Sequence, residues 1–384
     1  MTPLRVLCVV GARPNFMKMA PIVRALADAP RPFETTLVHT GQHYDEAMSK
    51  VFFDELAIPR PDVDLNVGSG SHAAQTAAIM AAFEPVLLGH RPHVLIVVGD
   101  VNSTIACALV AAKLGVKVAH VEAGLRSYDR TMPEEINRVL TDQISDLLFT
   151  TEESARENLA QEGVEDGRIH FVGNVMIDTL MAHRERALAM NTPAMLGLNG
   201  RFGLLTLHRP ANVDDQDAFA GLLSALEVIA AETPLVFPVH PRTRAALLSS
   251  PAANRLVSDG RLRLLDPLGY LEFLGLMQAS SMVLTDSGGI QEETTILGVP
   301  CLTLRNNTER PITVTAGTNV IAGTTPDTIL KAWRELKAAS GEGRTPEGRT
   351  PEPRTREPRT PPLWDGKAAA RIVEVLDREL RNEN

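Results

Sequence analysis

HVLIVVGDVNSTIACALVAAKLGVKVAHVEAG, residues 93–124, decides the fold class. Its two flanks, HVLIVVGD from His93 to Asp100 and VKVAHVEAG from Val116 to Gly124, are short runs rich in Val that end in polar residues. Strands of a parallel sheet buried on both faces read this way. Between them, VNSTIACALVAAKLGV carries Ala and Leu through its middle and Gly115 near its end, which predicts a helix. In an open sheet of such strand–helix–strand units, ligands bind beyond the carboxyl ends of the strands. Asp100 and Glu122 stand at those two ends and are therefore candidate functional carboxylates.

The chain continues from the second strand into HVEAGLRSYDRTMPEEINR, His120 to Arg138, a segment dense in Glu, Arg, Asp and His. Holding such a run beside a core is costly unless the charges pair or bind something. In its last part Pro133 suits a first helical turn, and Glu134, Arg138 and Asp142 follow at i, i+4 and i+8. That spacing fits an exposed ion-pair ladder, but its position beside His120–Ser127 favours a site.

At 384 residues the chain exceeds one comfortable core, so two domains are expected. Strand-like runs recur at LRVLCVVG, ETTLVHTG, HVLIVVGD, VKVAHVEAG, DLLFTT and RIHFVGN, and a second series follows at FGLLTLHR, TPLVFPVHP, LRLLDP, MVLTDS and PCLTLR. The pattern predicts an α/β protein with two doubly wound Rossmann-like domains facing across a cleft, at residues 1–190 and 200–340. Residues 343–362, GRTPEGRTPEPRTREPRTPP, form a Pro-rich, low-complexity loop that cannot be helical. Residues 364–384 read as an amphipathic C-terminal helix, for which packing back across the domain junction is one option.

Composition narrows the function classes. A net charge of −9 excludes nucleic acid as the expected partner. No apolar run approaches the roughly 18 residues that span a bilayer, so no membrane partner is expected. The opening MTPLRVLCVVG leads straight into GARPNFMK without a small-residue cleavage site and reads as the first strand. Cys8, Cys107 and Cys301 lie in apolar stretches without paired or metal-ligand spacing, as expected of reduced thiols in a cytoplasmic protein.

Anion-binding features sit at other strand ends. Gly11 to Lys18 is a glycine turn opening a helix, with Arg13 and Lys18 nearby. Thr285 to Glu293, TDSGGIQEE, follows the strand MVL; Ser287 is a candidate N-cap, and Gly288 and Gly289 let backbone N–H groups approach a phosphate. Glu293 suits either the helix dipole or ribose hydroxyls, and Arg310 follows the next strand. His208 with Arg209 ends FGLLTL, and His240 ends LVFPV. No His or Asp spacing matches a metal site.

Together these residues resemble the non-hydrolysing UDP-N-acetylglucosamine 2-epimerase family, whose two-domain fold is similar to GT-B glycosyltransferases. The likeness runs from about Val6 to Gly323. It implies that Arg13, Lys18, His240, Ser287, Gly288, Gly289, Glu293 and Arg310 bind UDP, while Asp100, Glu122, Glu134 and His208 are catalytic. The reaction so implied is reversible C2 epimerisation of UDP-GlcNAc to UDP-ManNAc by elimination and re-addition of UDP, in a homodimer, without metal, nicotinamide or other cofactor. A related UDP-2-acetamido sugar (3-acetamido or uronic), a GT-B glycosyl transfer and a non-catalytic nucleotide-sugar sensor are the alternatives. Departures from the family pattern are Ala12, Asn15 and the HRPAN stretch at residues 208–212. In the region where some bacterial members hold an activating second substrate, Gln42 and His43 match, but Asp45 and the Gly/Ser-rich residues 68–71 do not.

Overall fold

The computed structural model describes residues 3–41, 55–56, 58–209, 212, 215–239, 241–339 and 360–381. Gln42, His43, Asp45, His240 and most of the Pro-rich stretch lie outside the described residues. The chain divides into two units, Met1–His183 with Pro362–Asn384, and Arg184–Pro361. This division falls inside a helix rather than in the polar stretch near residues 191–201, and it assigns the C-terminal helix to the first unit.

The first unit alternates β1 (Leu4–Val10), α1 (Arg13–Ala27), β2 (Phe33–His39), β3 (Val63–Asp64), α2 (His72–His90), β4 (Val94–Val98), α3 (Asn102–Lys113), β5 (Lys117–Ala123), α4 (Pro133–Ile144), β6 (Leu147–Thr150), α5 (Glu153–Gln161) and β7 (Ile169–Phe171). Among the described residues its seven strands are all parallel, in the order β3-β2-β1-β4-β5-β6-β7. Every residue of β4 is buried, because helices cover both faces of the sheet. A core of Leu7, Val9, Ile79, Phe83, Leu95, Val97 and Val110 joins β1 and β4 to α2 and α3.

After α6 (Val175–Met190) and α7 (Thr192–Met195), the second unit runs β8 (Gly203–Thr206), α8 (Gln216–Glu232), β9 (Leu235–Pro238), α9 (Pro241–Ser249), α10 (Pro251–Ser258), β10 (Leu262–Leu265), α11 (Tyr270–Ala279), β11 (Met282–Thr285), α12 (Gly288–Leu297), β12 (Cys301–Thr303), α13 (Ile312–Thr315), β13 (Asn319–Ile321) and α14 (Pro326–Ala339). Its six strands among the described residues, also parallel, take the order β10-β9-β8-β11-β12-β13. Both sheets thus share the Rossmann order, which reverses between β1 and β4 and again between β8 and β11. Ligand crevices in such sheets open at these reversal points.

The C-terminal α15 (Ala368–Arg381) buries Ala368, Ile372, Val373, Leu376 and Leu380 along one face. Asp178 of α6 accepts from the backbone N–H groups of Ala368 and Ala369 at 3.1 and 2.8 Å, satisfying donors that a helix start leaves open. Burial pushes that carboxyl up to about 6 despite these bonds. Just before the helix, Trp364 is buried and its indole N–H donates to the Thr151 carbonyl at 2.9 Å. All three cysteines are buried free thiols, and burial pushes Cys8 and Cys301 up to about 12. No helix among the described residues is long and apolar enough to cross a membrane.

Trp364→Ala should cost roughly 3–5 kcal/mol, the range for emptying a large buried aromatic site. Urea unfolding will read the loss, and hydrogen exchange should show α15 losing protection before the sheet of the first unit.

Candidate active site

Glu122 lies where the register between β5 and β6 shifts, between Val121 and Ala123. Its φ is +72°, a left-handed backbone that costs a non-glycine residue about 1–3 kcal/mol. Bulges of this kind re-aim a side chain at a strand end. Here the carboxylate is buried, 2.6 Å from the buried ammonium of Lys18 on α1. Gly124, two residues on, must be glycine: a Cβ there would come within 2.5 Å of the Ala155 carbonyl oxygen, and φ is +78°.

Asp100 follows β4 on the other side of the β4–β5 step, with its side chain about 20% exposed. Arg138 of α4 donates to its carboxylate at 2.6 Å and to Glu135 at 2.5 Å. Glu135 also accepts from Ser127 N–H at 3.0 Å, Ser127 Oγ at 3.0 Å and Tyr128 N–H at 2.8 Å, which pins the turn after β5. Deeper in, His120 Nε2 lies 2.8 Å from the Gly99 carbonyl and Nδ1 lies 2.6 Å from Asp142. Asp142 also accepts from Gly124 N–H at 3.0 Å and pairs with Arg126 at 2.6 Å. Burial alone would raise the Asp142 carboxyl, but the charges and hydrogen bonds of His120 and Arg126 hold it below the usual range.

The exposed ladder that the spacing of Glu134, Arg138 and Asp142 would allow, the alternative to a site here, does not form. Arg138 and Asp142 face inward and pair with Asp100, Glu135, His120 and Arg126, while Glu134 in the first turn of α4 is exposed. The Glu134 side chain makes no hydrogen bond or ion pair with another described residue. The inward face is set by burial of the four polar residues Glu135, Arg138, Thr141 and Asp142.

At the first reversal point, Asn15 Oδ1 accepts from Gly11 and Ala12 N–H at 3.3 and 2.9 Å, and its amide donates to the Val98 carbonyl at 2.9 Å. This ties the loop after β1 to the end of β4, and so gives a structural role to a residue that departs from the family pattern. Only the backbone of Arg13, at the start of α1, is described.

The second unit has a corresponding tie. Asp286 is fully buried and accepts from His208 and Arg209 N–H at 3.1 and 3.0 Å and from the Asn212 amide at 3.1 Å. His208 Nδ1 also lies 2.7 Å from Asp286, while 62% of the imidazole side chain is exposed. A carboxylate on Nδ1 orients the ring and turns Nε2 outward. Ser287 occupies the N-cap position of α12 but makes no cap bond through its side chain, contrary to the expected cap, so its hydroxyl is not used up in the helix start. A Cβ on Gly288 would lie 2.4 Å from Arg310 Nη1 and 2.7 Å from Glu309, so glycine leaves room for that buried ion pair. Arg310 is buried, donating to Glu292 at 2.6 Å and pairing with Glu309, which also holds Arg305 at 2.8 Å. Glu293 accepts from the buried Tyr270 hydroxyl at 2.9 Å.

The residues that sequence reasoning did not single out are Arg126, Glu135, Tyr270 and Asp286. Each works through a partner in contact, mostly far along the chain. The one local signal was the polar face of α4 at i, i+3 and i+7 through Glu135, Arg138 and Asp142.

Two doubly wound Rossmann-like domains, each with a polar cluster where its strand order reverses, define a two-domain α/β protein of the GT-B-like class. A sequence profile of the UDP-N-acetylglucosamine 2-epimerase family matches residues 24–377. The UDP-N-acetylglucosamine 2-epimerase of Methanococcus maripaludis is 42% identical over 344 residues, covering 88% of this chain and 93% of that protein. A UDP-2,3-diacetamido-2,3-dideoxy-D-glucuronate 2-epimerase of Pseudomonas aeruginosa is 42% identical over 334 residues, 86% and 92% of the two chains. Among solved structures, the UDP-GlcNAc 2-epimerase of Methanocaldococcus jannaschii in complex with UDP-GlcNAc and UDP is similar at a TM-score of 0.86 and 40% identity, covering 98% of this chain and all of that one. The chain belongs to the UDP-N-acetylglucosamine 2-epimerase family.

Burial alone would raise Asp286 as well, but the His208 hydrogen bond and charge and the Arg209 N–H hold it below the usual carboxylate range. A carboxyl depressed on folding contributes stability above its unfolded pKa of about 3.9, lost as pH falls through the folded value. His208→Ala removes the largest of the lowering influences, so the folded value rises, the acid-sensitive contribution shrinks and its loss is complete at higher pH. Urea midpoints measured between pH 7 and pH 3 will show it.

Proposed function

We propose that this protein interconverts UDP-GlcNAc and UDP-ManNAc by inverting C2, through elimination and re-addition of UDP. The observation that carries the reading is the pair of carboxylates at the ends of β4 and β5: Asp100 partly exposed on Arg138, and Glu122 held in a strained bulge against Lys18. Family membership and the M. jannaschii relative with UDP-GlcNAc and UDP support it.

The chemistry explains the need for such groups. The C2 proton of the sugar has no adjacent carbonyl, so its direct removal is hard. When the C1–O bond breaks, its electron pair leaves on the UDP oxygen and the cationic C1 acidifies C2. A carboxylate then takes the C2 proton, leaving a C1=C2 double bond. Returning a proton to the opposite face and re-adding UDP at C1 completes the inversion. Leaving-group charge needs preorganised donors. We assign these to Arg13, Lys18, His240, Arg310, Ser287 and the N–H groups at Gly288 and Gly289, with Glu293 accepting ribose hydroxyls. Asp100, Glu122 and the exposed Glu134 are the acid–base groups, and His208, oriented by Asp286, completes the catalytic set. The first unit thus supplies Arg13, Lys18 and the three carboxylates, and the second supplies His208 and the remaining UDP contacts. The reaction needs no added metal or nicotinamide, and we place it in the cytoplasm, supplying cell-surface polysaccharide synthesis.

Incubation with UDP-GlcNAc in D₂O, followed by NMR, should show UDP-ManNAc with deuterium at C2. Turnover that retains the original hydrogen at C2 would overturn the reading, and UDP-2,3-diacetamido-glucuronate in parallel tests the related sugar. Glu122→Gln should lower kcat by about 10²-fold or more with UDP affinity little changed. Ser287→Ala should weaken UDP binding by about 0.5–1.5 kcal/mol, read by calorimetry.

We also infer a homodimer. The polar face of α4 is inward, which leaves Ile136 and Leu140 exposed, and α2 exposes Ala73, Ala77 and Leu88. Apolar faces on both helices suit a second copy. Leu140→Glu should halve the mass found by light scattering.

A further inference from the structure

Arg138 has so far no part in binding or proton transfer, yet it bridges two carboxylates at the proposed centre. Its guanidinium is buried, with Nη2 at 2.6 Å from Asp100 Oδ2 and Nη1 at 2.5 Å from Glu135 Oε2. The second contact fixes the first. Glu135 is itself anchored by Ser127 and Tyr128 at 2.8–3.1 Å, so the planar fork has one orientation available. The preceding residue, Asn137, donates to the Asp100 backbone carbonyl at 2.9 Å. Helix α4 therefore grips Asp100 by main chain and side chain together.

Exposure separates the roles of the two partners. Asp100 keeps about 20% of its side-chain surface, whereas Arg138 keeps 4%. A substrate can meet the carboxylate but not the guanidinium behind it. The other charged pair beside Asp100 is Lys18 with Glu122; Lys18 Nζ lies 3.1 Å from where a Cβ on the preceding Gly99 would be. Lys18 is matched by Glu122, while Arg138 shares its charge between Asp100 and Glu135.

We propose that Arg138, seated on Glu135, is the positioning residue that fixes Asp100 for proton transfer at C2; this rests on the epimerase reading above. It acts through Asp100 and does not touch substrate. The turn at residues 125–132 and the acid–base carboxylate are thereby set by one guanidinium.

The test is Arg138→Lys, which keeps a buried cation but cannot reach both carboxylates. Misplacing a reacting group by about 1 Å costs on the order of 10²-fold, so kcat should fall by about that factor. KM and the calorimetric Kd for UDP should stay within about threefold, because binding common to ground and transition state is untouched. The primary isotope effect with C2-deuterated UDP-GlcNAc should rise, a change that general loosening of the fold would not produce. As a guard against unfolding, Glu135→Gln combined with Arg138→Met removes both charges and leaves less uncompensated charge than Arg138→Met alone. It should show the same kcat loss with UDP binding retained. Unchanged kcat in Arg138→Lys, or a kcat loss matched by lost UDP affinity, overturns the positioning role. Absence of C2 exchange in the unmodified protein overturns the epimerase reading and this role with it, whereas exchange there together with a silent Arg138→Lys overturns the positioning role alone.

Discussion

A single buried imidazole joins the three elements on which the first unit's site depends. His120 reaches the Gly99 carbonyl with one nitrogen and Asp142 with the other, so the end of β4, the end of β5 and helix α4 are held at hydrogen-bond distances. Apolar burial brings a helix to a sheet but is non-directional and sets no such spacing. Asp100 is the residue after Gly99 and Glu122 is two beyond His120, so both carboxylates inherit their positions from this contact. Asp142 in turn gathers Arg126 and the Gly124 N–H, which leaves that buried charge fully compensated.

The second unit solves the same problem with different residues. Asp286 receives the two backbone N–H groups after β8 and the His208 ring, closing the reversal point between β8 and β11. Asn15 does this with its amide in the first unit. In both places a buried polar side chain after one central strand satisfies backbone groups after the other, since a crevice that must stay open for a ligand cannot be closed by packing. The carboxylate of Asp286 adds what the amide of Asn15 cannot: a charge that orients an exposed histidine.

Helix α4 shows where pattern reading goes astray. Its apolar Ile136 and Leu140 face outward while Glu135, Arg138, Thr141 and Asp142 are buried. Amphipathic reasoning assumes that the apolar stripe finds the core. Here the core-facing side meets charges already present at the strand ends, and ion pairing overrides hydrophobicity. An exposed ladder of Glu134, Arg138 and Asp142 is excluded for this reason: a spacing of four specifies neighbours on a helix, but not whether stronger partners wait on another element.

The sequence by itself determined the strands other than β3 and β13, the α/β class and the strand-end positions of Asp100, Glu122, His208 and Ser287, because runs of Val, Ile and Leu closing on polar residues are local signals of fully buried parallel strands. It also carried the family likeness. Tertiary structure alone decided the strand order, the bulge that turns Glu122 toward Lys18, the return of α15 to the first unit, and the partners of each charge. Those partners lie about 20 to 190 residues apart, as in His120–Asp142, Asp100–Arg138, His208–Asp286 and Asp178–Ala368. A buried charge is compensated by whichever opposite group the fold delivers within hydrogen-bond reach, and neither residue's neighbours in sequence carry that information.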